Sequence, residues 1–136
     1  MARILAIDHG GKRCGMAVSD PLRIAVSPLG TVPPEELIEH LAGYFAKEEV
    51  DLVLVGYPTD LQGNPTDATA GVDRFIRSFR KRFPDRELLT RDETFSSRRA
   101  AEALVQSGVR KKERRKKGRL DEMSAALILQ EYLQTL

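Results

Sequence analysis

The sequence predicts an α/β fold: a mixed five-stranded sheet, its first three strands antiparallel and its later strands parallel, flanked by helices. Three observations predict it. Two short apolar runs, Arg3–Asp8 and Cys14–Ser19, are joined through Gly10-Gly11 and read as a hairpin. From residue 33 onward helical and strand patterns alternate, as crossover connections require. Residues 51–56 (Asp-Leu-Val-Leu-Val-Gly) show no polar alternation, as expected of a parallel strand covered on both faces.

Each element has its own signal. The first run ends in an acid followed by glycines, so Asp8 stands where a strand gives way to a turn. Asp20-Pro21 opens a second turn, and residues 23–27 form a third strand that Pro28 should stop. Pro33-Pro34-Glu35-Glu36 starts a helix, with proline at its first positions and acids in its first turn. Leu37, Ile38, Leu41 and Phe45 continue that helix at the right spacing. After the strand at 51–56, residues 57–65 are a loop rich in proline, glycine and asparagine. A helix over 66–82 places Val72, Phe75, Ile76 and Phe79 on one face. Its Phe75 and Phe79, with Arg74 and Arg77 one turn apart, are a candidate interface or second nucleic-acid surface. Residues 87–91 form a short strand. Ser96 or Ser97 caps a helix carrying Ala100, Ala101, Leu104 and Val105, ended by Gly108. Leu120, Met123, Leu127 and Ile128 mark the last helix.

At 136 residues the chain suits one domain spanning 1–136. Apolar residues are 41% and charged residues 31%, ordinary for a globular protein. The single cysteine, Cys14, excludes an internal disulfide and fits a reducing compartment. No apolar run approaches the ~20 residues of a membrane span. Met1-Ala2-Arg3 leads straight into a strand rather than a leader peptide, so a cytoplasmic protein with no membrane partner is expected.

The net charge of +2 conceals a segregation. Arg110, Lys111, Lys112, Arg114, Arg115, Lys116, Lys117 and Arg119 are accompanied by one acid, Glu113, so residues 110–119 carry +7 and the remainder −5. A mildly acidic body with one strongly basic segment suits a polyanionic partner; a solvated loop suits the same composition.

Three acidic positions are candidates for chemistry. Asp8 lies at the carboxyl end of the first strand, where ligands gather in open α/β sheets, and Lys12 and Arg13 add positive charge beside it. Asp92-Glu93 follows a strand expected parallel to the first, so it opens on the same side. Asp121 begins the last helix. Taken singly, each acid equally suits a turn or a helix start, and the pattern does not choose between Asp92 and Glu93. Together they suit a hard cation such as Mg²⁺, because clustered carboxylates repel one another unless a cation holds them. Asp20, Asp60 and Asp67, near proline or glycine, read as turn or capping residues. His9 is expected to be exposed in its turn and is assigned no role. One cysteine and two scattered histidines build no zinc pattern.

These motifs resemble the YqgF (RuvX) family of Holliday junction resolvases and pre-16S rRNA processing nucleases. The segment from Ile7-Asp8-His9-Gly10-Gly11 to Ser19-Asp20 is similar to the family's opening signature. Val55-Gly56-Tyr57-Pro58, with Gly63 after it, resembles the loop after the fourth strand. Asp92-Glu93-Thr94-Phe95-Ser96-Ser97 resembles an Asp-Glu-Arg-Leu-Thr-Thr motif, and Asp121 with Ala125-Ala126 and residues 128–133 resembles the closing helix. The resemblance covers nearly the whole chain. It implies a ribonuclease H-like fold, and it implies Asp8, Glu93 and Asp121 as the catalytic carboxylates, binding Mg²⁺ or Mn²⁺. Thr94 departs from the family's arginine, which leaves Arg91, Arg98 or Arg99 as candidate replacement cations.

The expected function is a metal-dependent endonuclease acting on structured nucleic acid: the 5′ end of pre-16S rRNA in ribosome biogenesis, or a four-way DNA junction in recombination and repair. Lys12, Arg13 and the basic segment are the expected backbone contacts. A resolvase is expected to be a homodimer, because two symmetric cuts need two sites. A non-catalytic ribosome-assembly factor would share the basic segment without needing the acids. An actin-like ATPase or sugar kinase is disfavoured by length, since such enzymes close two domains over the nucleotide.

Overall fold

A computed structural model describes residues 2–57, 67–92 and 119–136. Its centre is β1 (Arg3–Asp8), which pairs antiparallel with β2 (Cys14–Ser19) on one side and parallel with β4 (Val50–Tyr57) on the other. Beyond them lie β3 (Val26–Val32), antiparallel to β2, and β5 (Glu87–Asp92), parallel to β4. The order across the sheet is β3-β2-β1-β4-β5, so the expected mixed five-stranded sheet is found.

Both faces of the central strands are covered, which is why β1 and β4 lack polar alternation. Leu5, Ile7, Val53 and Val55 belong to one buried cluster, with Leu37 and Leu41 of α1 (Leu37–Lys47) and Val72, Phe75, Ile76 and Phe79 of α2 (Asp67–Arg82). A short 3₁₀ turn, Pro34–Glu36, precedes α1. Ile4, Ala6, Leu52 and Leu54 point the other way and pack on Ala125, Ala126, Ile128 and Leu129 of α3 (Arg119–Leu133). Ala6, Ala17, Ala125 and Ala126 are all small, which lets α3 settle close to the sheet. Phe75 and Phe79 are therefore core residues rather than an interface, with ring centroids 5.9 Å apart. The expected helix from Ser96 or Ser97 to Gly108 lies outside the described residues.

β3 begins three residues later than the sequence suggests and runs through Pro28 instead of stopping there. The delay has a local cause. The Asp20 carboxylate accepts hydrogen bonds from the backbone N–H groups of Ile24 (2.7 Å) and Ala25 (3.0 Å), and Arg23 N–H donates to the Asp20 carbonyl at 2.9 Å. Arg23 takes a left-handed φ of 61° to close this turn, and its guanidinium is tied to the Ala2 carbonyl and to Asp51. Pro28 is tolerated because β3 is an edge strand, where a missing N–H need not break a ladder. The register also slips there: Met16 pairs with Gly30 and Ala17 with Pro28, leaving Leu29 as the extra residue of a bulge.

Candidate active site at the carboxyl edge of the sheet

β1, β4 and β5 are parallel, so their carboxyl ends open on one edge. Ile7, Val55 and Thr90 form one row across these strands. Asp8, Gly56 and Arg91 follow one residue later. Asp8 thus ends β1 beside a strand position that carries no side chain. By the alternation of the strand Asp8 has the parity of Ile4 and Ala6, which places it on the face covered by α3.

The direction of α3 decides what meets Asp8. Gln130, Leu133 and Gln134 share a cleft with Arg23, Ile24 and Val26, next to Ser19 at the amino end of β1. The C-terminal end of α3 therefore lies at the amino edge of the sheet. Its 15 residues span roughly 22 Å, enough to cross the sheet and bring the N-terminal turn to the carboxyl edge. Asp121 is in that first turn. The positive end of the helix dipole lies there too, which favours carboxylates and phosphates.

The end of β1, which carries Asp8, and the first turn of α3, which carries Asp121, thus come to the same edge, while Glu93 lies outside the described residues. Asp92, the last residue of β5, pairs with Tyr57. The guanidinium of Arg91, one residue earlier, lies 5.5 Å from the Tyr132 ring of α3. Arg98 and Arg99 lie outside the described residues, as does the basic segment from Arg110 to Lys117. Among the described residues no group of three metal-ligating side chains is assembled. The donor chemistry still fits a hard cation, since Asp8 and Asp121 offer only carboxylate oxygens.

The turn after Asp8 is shaped by Gly10, where a Cβ would lie 2.5 Å from the Arg13 carbonyl oxygen; a side chain there would force the turn open. Gly11 has open space at the same position, and Lys12 is exposed. Cys14, directly behind the turn, is fully buried and packed, as its place in a strand suggests.

His9 departs from expectation. It is half-buried against α2, its ring centroid 5.5 Å from that of Phe75 at an interplanar angle of 31°. Burial holds its imidazole below the usual histidine value; a bond to its own backbone opposes this, and the nearby Arg74 charge reinforces it. His9 is accordingly neutral at pH 7. The phenol of Tyr57, at the end of β4, donates to Asp73 at 2.8 Å and ties α2 to the same edge. The sequence does not announce this arrangement, because it depends on where α2 packs.

The whole chain, residues 2–135, matches the family profile described as RuvX, Holliday junction resolvase. A Flavobacterium johnsoniae protein named "Putative pre-16S rRNA nuclease" is 44% identical over 133 residues, covering 98% of this chain and 96% of its own. A Bacteroides thetaiotaomicron protein of the same name is 41% identical over 135 residues, covering 99% and 98%. Among solved structures, Thermus thermophilus RuvC in complex with Holliday junction substrate superposes with a TM-score of 0.56 at 14% identity, covering 99% of this chain and 95% of that one. That likeness establishes the ribonuclease H-like fold. On these grounds the chain belongs to the RuvX family, a family of nucleases built on the ribonuclease H-like fold.

Proposed function

We propose that the chain is a metal-dependent endonuclease that hydrolyses phosphodiester bonds in structured nucleic acid, processing the 5′ end of pre-16S rRNA. The observation that carries this reading is that the end of β1, with Asp8, and the first turn of α3 meet at the carboxyl edge. Glu93 is the third carboxylate. The resemblance of Asp92-Glu93-Thr94 to the family's motif supports Glu93 over Asp92. The names carried by relatives at about 40% identity support the RNA substrate.

Asp8, Glu93 and Asp121 would hold Mg²⁺ or Mn²⁺, which when bound lowers the pKa of water and offsets charge on the phosphate and the leaving oxygen. The chain's own residues do the rest. The α3 N-terminus favours the negative charge of the reacting phosphate, and Lys12, Arg13 and the basic segment hold the flanking backbone. Asp8→Asn removes a charged ligand while keeping the shape of the side chain. Cleavage of a pre-16S 5′ fragment should be lost, with binding retained in a gel-shift assay. Cleavage surviving that change would leave only a binding module, such as an assembly factor.

A second reading, resolution of a four-way DNA junction, is favoured by the description of the matching family. It requires two sites acting together. Light scattering with and without a junction should then show a dimer, and a strict monomer in both conditions would remove this reading.

A further inference from the structure

On the face of the sheet opposite Asp8, a groove of about 370 Å³ lies between the turn after β1, the 3₁₀ turn and α2. His9, Gly11, Glu35, Gly71, Arg74 and Ser78 are among the residues that line it. Its volume falls within the range of small-ligand sites. Its position follows from the pleat. Asp8 has the parity of Ile4 and Ala6; His9, the next residue, has that of Leu5 and Ile7 and packs on Phe75. Their Cα atoms are only ~3.8 Å apart, yet they serve opposite faces. A strand passing over the sheet edge at Asp8 therefore meets the groove immediately.

The lining describes its occupant. The His9 ring and Phe75 provide an aromatic wall. Beside it, one turn before Phe75 on α2, Gly71 has no side chain; a Cβ there would lie 3.6 Å from His9 Cε1, and a larger residue would extend into the groove. Gly11 leaves backbone open at the mouth, with nothing within 4 Å of its Cβ position. Arg74 contributes one exposed cation and Glu35 one exposed anion, a balance that disfavours a bare phosphate and suits a neutral planar group attached to one. A nucleotide is such a group, and its base reaches a groove of this kind only when it is out of the stack.

We propose that this groove is a base-binding subsite: one unpaired base of the nucleic-acid strand, next to the phosphate held at Asp8, lies against the His9 ring while Arg74 holds its own phosphate. The proposal rests on the nuclease reading for the location of the reacting phosphate. It extends that reading by requiring a single-stranded nucleotide beside the cut.

The test is equilibrium binding of a single-stranded RNA trinucleotide to the full chain in chelator, compared with the same backbone made abasic. The abasic strand should bind about ten-fold more weakly, as expected for the loss of one base stacked on an aromatic ring. The His9 ring resonances should shift with the trinucleotide and not with inorganic phosphate. Gly71→Leu, which fills the groove, should erase the difference between the two strands, and Arg74→Gln, an exposed change that spares the fold, should weaken both strands by a similar factor. Equal binding of both strands by the unaltered chain would overturn the subsite and leave the nuclease reading standing, as would a base preference unchanged in Gly71→Leu. Conversely, a base preference retained in Asp8→Asn alongside surviving cleavage would overturn the metal-nuclease reading and leave the subsite.

Discussion

Ser19 and Asp20 close the amino edge of the sheet, while Asp8, from the same stretch of sequence, stands at the carboxyl edge. Ser19 is fully buried; its Oγ accepts the Ile4 N–H at 2.9 Å and donates to the Asp20 carbonyl at 3.0 Å. One sequence motif thus combines a candidate catalytic acid with a structural hydroxyl. Ser19→Ala would strand a buried backbone donor, and a loss of about 1–3 kcal/mol is expected in urea denaturation. A loss below about 0.5 kcal/mol would mean that the Ile4 N–H finds another acceptor. At this scale Asp8 was legible because an acid before glycines is a local pattern. The choice between Asp92 and Glu93 was not, because either acid equally suits the end of a strand or the start of a helix. His9 was misjudged because its surroundings come from α2, some sixty residues further along the chain.

β3 shows how a side chain can set the limits of an element. The sequence places a strand at 23–27, but Asp20 captures the Ile24 and Ala25 donors first, and pairing starts only at Val26. Those two hydrogen bonds, with Ala25 the larger effect, hold the Asp20 carboxyl below the usual aspartate range. A carboxylate with a depressed folded pKa contributes stability that is complete above its unfolded pKa and lost as pH falls through the folded one. The melting temperature of Asp20→Ala should therefore lie below that of the unaltered chain at neutral pH, and the gap should narrow on acidification below about pH 4. A gap that stays constant down to pH 2 would mean that the charge contributes nothing to the turn. The helices were more legible than β3, because each carries a long apolar stripe: all four residues expected on one face of α2 are buried. Edge strands lack that redundancy, and a proline that would end a central strand does not end this one.

Over the whole molecule, charge is unevenly distributed along the chain. The chain's main concentration of cations, Arg110 to Arg119, leads directly into α3 in the sequence. Cations of this kind bind backbone without reading sequence, and their effect is visible in salt dependence. Alanine at Arg115, Lys116 and Lys117 together should flatten the log-log salt slope for a single strand by up to about 2, measured by fluorescence anisotropy. An unchanged slope would mean that these three cations face solvent. The fold class and the sheet order could be read from the sequence because apolar runs and turns are short-range features. The groove beside His9 could not be read in this way, since its walls come from a turn, a 3₁₀ turn and a helix that meet only when the sheet is covered.

The chain holds one sulfhydryl, Cys14, fully buried at the start of β2 with its Sγ 3.9 Å from the Gly10 carbonyl oxygen. An alkylating reagent cannot reach it while the turn between β1 and β2 is closed. Every modification event therefore records one excursion of that turn, and with no second thiol the record carries no background. The protein thus contains its own chemical stopwatch for breathing of the loop behind Asp8, one that needs no added label and can be read on intact protein by mass.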